Sequence, residues 1–77
     1  MEGKRIKLLW HFTGPDAQKT AEHFVIHLNE YLEHRNLKHE TGVEPDHVPL
    51  RAFMIIPQDE MITHRDALKP VEGEYVD

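Results

Sequence analysis

Three histidines share one fifteen-residue stretch, TAEHFVIHLNEYLEH, at positions 20–34, with Glu30 among them. Imidazole and carboxylate are the donor types that bind divalent transition metals, and imidazole is also the group that titrates near neutral pH. Read as a helix at 100° per residue, His23, His27, Glu30 and His34 fall in one stripe about 60° wide. His23 and His27 are an i, i+4 pair that can chelate zinc from one helix face, and Glu30 with His34 is a second such pair. His27 and Glu30, at i, i+3, could bridge them. His23 and His34 are about 16 Å apart along the axis, so no single ion reaches both.

Each seat supplies two ligands where a stable zinc site uses three or four. His11, His64 or a second copy of the chain would have to supply the rest. The pattern is not the HExxH of a metalloprotease, because position 24 is Phe. Random placement of seven histidines over 77 positions yields an HxxxH pair about as often as not. A solvated or interface-lining helix face is the simpler account of the stripe, with a metal site or a contact that responds to pH as the alternatives.

Other catalytic constellations are few. The chain has no cysteine and no serine, which removes disulfides, thiolate metal sites and Ser-His or Cys-His nucleophilic catalysis. His11 is the one acid–base candidate, at the end of a strand and beside a helix entry. Asp59, Glu60 and Asp66 read as helix-start and solvent-facing charges.

These residues must be positioned by one small domain spanning residues 1–77. A chain this short buries only about 60% of its unfolded surface and often needs a metal or a partner subunit for stability. The formal net charge of −5 disfavours nucleic acid and anionic lipid as partners. Protonating all seven histidines would take that charge to +2. No apolar run approaches the roughly 18 residues of a membrane span, and LLW is too short for a signal-peptide core. A cytoplasmic protein is the expectation.

KRIKLLWHF, residues 4–12, alternates as a strand, with Ile6, Leu8, Trp10 and Phe12 on a core face and Arg5, Lys7, Leu9 and His11 on the other. TGPD opens a helix, with Thr13 as the expected N-cap and Asp16 three residues on. The helix runs to about Asn36, and Ala17, Ala21, Phe24, Val25, Leu28, Tyr31 and Leu32 form its apolar stripe. A short edge strand over Lys38–Val43 and a turn at Glu44–Asp46 follow. LRAFMIIP, residues 50–57, is apolar on both faces and reads as a central strand. Residues 58–68 read as a short helix with Met61, Ile62 and Leu68 inward, ended by Pro70. GEYVD supplies a last strand, with Tyr75 or Val76 inward.

The order strand, helix, weak strand, strand, helix, strand is an α+β pattern. It resembles the ferredoxin-like split βαβ superfold (β-α-β-β-α-β), a two-layer sandwich whose second strand is short or absent. Without that second strand a three-stranded βαβαβ layer would remain; the Pro45–Asp46 turn chemistry favours four strands. The resemblance implies no function.

If both helices cover one side of the sheet, Leu9, His11, Phe53 and Ile55 lie on the open side. An apolar set there marks an interface or a ligand floor. The leading expectation is therefore a non-enzymatic binding module, homodimeric through the open face, with no cofactor required. The alternatives are a protein that binds zinc or another divalent metal through the histidine stripe, and a small dimeric α+β-barrel enzyme using His11. The identity of a protein or small-molecule partner is not written in the sequence.

Overall fold

The computed structural model describes residues 4–76. Four strands form one antiparallel sheet: β1 (Arg5–Phe12), β2 (Glu40–Glu44), β3 (Leu50–Pro57) and β4 (Glu72–Val76). Their order across the sheet is β2-β3-β1-β4. Two helices, α1 (Ala17–His34) and α2 (Met61–Leu68), pack on one face, with a 3₁₀ turn over Gln58–Glu60 leading into α2. This is the α+β ferredoxin-like arrangement with the second strand present. β3 is central, as its two-sided apolar composition requires.

The core is the even-numbered face of β1 and β3. Ile6, Leu8, Trp10, Met54 and Ile56 are buried against Leu28 and Leu32 of α1, with Phe24, Tyr31, Met61 and Leu68 packed at the margin. Complete burial of a side chain such as Met54 or Ile56 contributes about 2 kcal/mol. Trp10 also donates its indole N–H to the Leu68 carbonyl at 3.0 Å, which docks the end of α2. Phe24 lies 5.0 Å from the Trp10 ring and 5.6 Å from Phe12, closing one end of the layer.

Several boundaries differ from expectation for local reasons. Gly14 adopts φ +96°, a left-handed turn that Gly accepts without a Cβ clash. This turn delays the start of α1 to Ala17, so Thr13 does not cap it and Asp16 occupies the N-cap position without a side-chain bond. α1 stops at His34 because Asn36 enters the left-handed region and Leu37 N–H returns to Leu32 O at 3.0 Å. β2 runs Glu40–Glu44, so it starts two residues later than read from the sequence. In α2, Ile62 is exposed and the buried residue is His64. Tyr75 pairs in register with Ile6 on the helix side of the sheet, yet remains 62% exposed at the edge. Asp77 lies outside the described residues.

Candidate functional site

The histidine stripe of α1 is real but loose. His23 and His27 meet edge to face with ring centroids 4.9 Å apart. His27 Nδ1 lies 3.5 Å from Glu30 Oε1, with both side chains about 60% exposed. His34, at the end of α1, is exposed. The stripe acquires no third ligand from the described part of the chain. His11 Nε2 is instead 2.8 Å from Glu72 Oε2, and His64 is buried beneath α2.

A different group of donors converges. Among the described residues, the one set of three histidine or carboxylate ligands within mutual reach is His39, Glu60 and His64, whose ligand atoms all lie within 4.8 Å of one another. Two pieces of chain deliver them, one ahead of β2 and one at the start of α2, where Glu60 and His64 are an i, i+4 pair. His39 immediately precedes β2, Glu60 ends the 3₁₀ turn at the N-cap of α2, and His64 lies on the first turn of α2. The extended backbone of Pro57 (ψ 148°) turns the chain from β3 into that 3₁₀ turn.

Glu60 Oε1 sits at the centre, 2.9 Å from His39 Nε2 and 3.0 Å from His64 Nε2. On the far side of the His64 ring, Nδ1 lies 2.9 Å from the Tyr31 hydroxyl of α1. With neutral rings these contacts fix the proton positions. Both Nε2–H groups donate to the carboxylate, and the Tyr31 O–H donates to His64 Nδ1. The hydrogen bond from His64 is the largest influence on Glu60; burial opposes it, but with the added bond from His39 the carboxyl is held below its ordinary value. No buried side-chain polar atom among the described residues lacks a partner.

The open sheet face carries a second network. Arg51, 9% exposed, donates through Nε to Glu44 Oε1 at 2.7 Å and through Nη1 to Glu74 Oε2 at 3.4 Å. Lys7 reaches Glu44 Oε2 at 2.7 Å, passing over the Phe53 ring at 5.2 Å. Burial pushes the Glu44 carboxyl upward, but the hydrogen bonds and charges of Lys7 and Arg51 outweigh it and hold the group below its usual range. Of the four residues expected on this face, Leu9 is fully buried within the single chain, His11 is exposed and paired with Glu72, and Phe53 and Ile55 are half-buried. Phe53 in turn lies over Gly42, where a Cβ would come within 2.8 Å of its ring.

No known family model matches the chain, and no curated protein or solved structure resembles it at a significant level. Function must therefore be argued from these two networks.

A groove of about 360 Å³ lies between α2 and the β4 edge, lined by Ile6, Leu8, Met61, Val71, Gly73 and Tyr75 among others. No helix of the described residues is long and apolar enough to cross a membrane. His39 and Glu60 were not among the metal candidates read from the sequence, and His64 was only a possible supplement to the stripe. One signal was available for His64: it shares the α2 face of Met61 and Leu68 at i, i+3, i+7 spacing.

Proposed function

We propose that the chain is a small interaction module that self-associates through the sheet face opposite its helices. One observation carries this reading. β3 lays Phe53, Ile55 and Pro57, each half-buried, in a row along the middle of that face. Exposed Arg5 flanks the row on the β1 side, and exposed Glu40 flanks it on the β2 side. Neither charge has an ion-pair partner among the described residues.

The arrangement is self-complementary. A two-fold axis parallel to β3, between two copies, lays apolar row on apolar row and carries the Arg5 flank of one copy over the Glu40 flank of the other. An axis across the strands would set like charges together. Burying the row would add apolar contact to a core that is small for an unbridged chain. Arg51 and Lys7 already pair with acidic side chains within each copy, so the interface would leave neither as an unpaired buried charge.

Sedimentation equilibrium up to high micromolar concentration tests the reading. It expects a dimer that Ile55→Asp dissociates, that Arg5→Glu or Glu40→Arg weakens, and that the double reversal restores. A monomer throughout, or a dimer indifferent to Ile55→Asp, refutes it.

A further inference from the structure

Among the described residues, the only fully buried side chain of α2 is a histidine. A short helix normally docks through an apolar residue, and an imidazole at that position costs desolvation unless both nitrogens are satisfied. Here both are, and Nε2 is aimed at a carboxylate oxygen shared with a second histidine. We infer that His39, Glu60 and His64 form a divalent transition-metal seat that clips α2 to the entry of β2.

The donor geometry fits. In a tetrahedral site with metal–donor distances of about 2.0–2.1 Å, neighbouring donors lie about 3.3–3.4 Å apart. The two Glu60–histidine edges here are 2.9 and 3.0 Å, and one ligand atom from each of the three residues lies within 4.8 Å of the other two. Spreading the first two edges by about 0.4 Å while the imidazoles draw together places an ion between all three. Two neutral imidazoles and one carboxylate are the donor set of zinc and its neighbours in the first transition row, whereas calcium and magnesium require oxygen cages. The set has three protein ligands, which leaves a fourth position for water.

Tyr31 supplies the support that a ligating histidine needs. Metal-bound imidazoles almost always donate their other N–H to an oxygen. When the ion takes His64 Nε2, the ring proton moves to Nδ1 and donates to the Tyr31 oxygen already 2.9 Å away. The same contact therefore serves both states, with its donor and acceptor exchanged. The side-chain exposures agree with a seat that opens outward through the carboxylate: 2% for His64, 12% for His39 and 33% for Glu60. This inference does not depend on self-association.

The test is calorimetric titration of the metal-stripped full chain with zinc at neutral pH, with melting temperature as a second readout. The expected result is saturation at one ion per chain and a raised melting temperature. His39→Ala and Glu60→Gln, both at partly exposed positions, should each weaken binding by about 100-fold while the amide NMR spectrum shows a folded protein. Tyr31→Phe should weaken it by about 10-fold. His23→Ala with His27→Ala should leave it unchanged. Absence of saturable binding overturns the inference. So does saturable binding that survives His39→Ala and Glu60→Gln, or that disappears with His23→Ala and His27→Ala.

Discussion

The molecule holds two histidine groups of opposite character. The stripe of α1 is compact in sequence and diffuse in space: His23, His27, Glu30 and His34 share one helix face, project toward water, and pair at most two at a time. The His39–Glu60–His64 group is diffuse in sequence and compact in space, with one carboxylate oxygen held by two imidazoles. Periodicity on one helix aligns side chains, but it cannot enclose a point. Convergence of three donors requires separate segments, and burial then gives each contact energetic weight.

The largest expected difference between the two groups is in stability. His64→Ala removes a buried ring and leaves Tyr31 and Glu60 short of partners, and it should cost about 3 kcal/mol by chemical denaturation of the metal-free protein. A cost below about 0.5 kcal/mol would make His64 equivalent to a stripe residue.

The next difference is in acid. Glu60 and, on the open face, Glu44 are both held below the ordinary carboxylate value of 4.5 in the folded chain. A depressed folded pKa means that the stability each contributes is complete above the unfolded value and is lost as pH falls through the folded one. Glu60→Gln and Glu44→Gln should therefore each lower stability near neutrality and flatten its decline below about pH 4.5 in denaturation series. An acid limb unchanged by either substitution would remove that carboxylate from the account.

The smallest effect is expected of the stripe itself. His23→Ala and His27→Ala, singly or together, should change unfolding free energy by less than about 0.5 kcal/mol, because both side chains are exposed. A larger loss would show that their edge-to-face contact contributes to the fold.

Much of this architecture was legible in the residues. The alternation of Ile6, Leu8, Trp10 and Phe12 specified the core face of β1, and the two-sided apolar run of LRAFMIIP specified a central strand. Both are local patterns imposed by the period of a strand. The helix ends were less legible, because Gly14 and Asn36 act through backbone conformation rather than hydrophobic pattern.

The open face was legible in membership but not in state. Register placed Leu9, His11, Phe53 and Ile55 there, yet Leu9 is fully buried on a face where Arg51, Glu44, Glu72, Glu74 and Lys7 pair across strands. The metal candidates were the hardest. His39 and His64 are 25 positions apart and meet only because the residue ahead of β2 folds against the first turn of α2. Glu60 looked like one more helix-start charge. Of Met61, Ile62 and Leu68, the apolar residues expected inward on α2, Ile62 is exposed and the fully buried position is His64.

The central claim is that the histidine chemistry of this protein lies in the His39–Glu60–His64 group and not on the stripe. Long-range ¹H–¹⁵N correlation of the imidazole nitrogens, recorded on metal-stripped protein and again after one equivalent of zinc, tests it most directly. The prediction is that His64 carries its proton on Nε2 before zinc and on Nδ1 after it, with Nε2 of both His39 and His64 shifted as metal ligands and His23 and His27 unmoved. Zinc-induced shifts confined to His23 and His27, with His64 still protonated on Nε2, would contradict it.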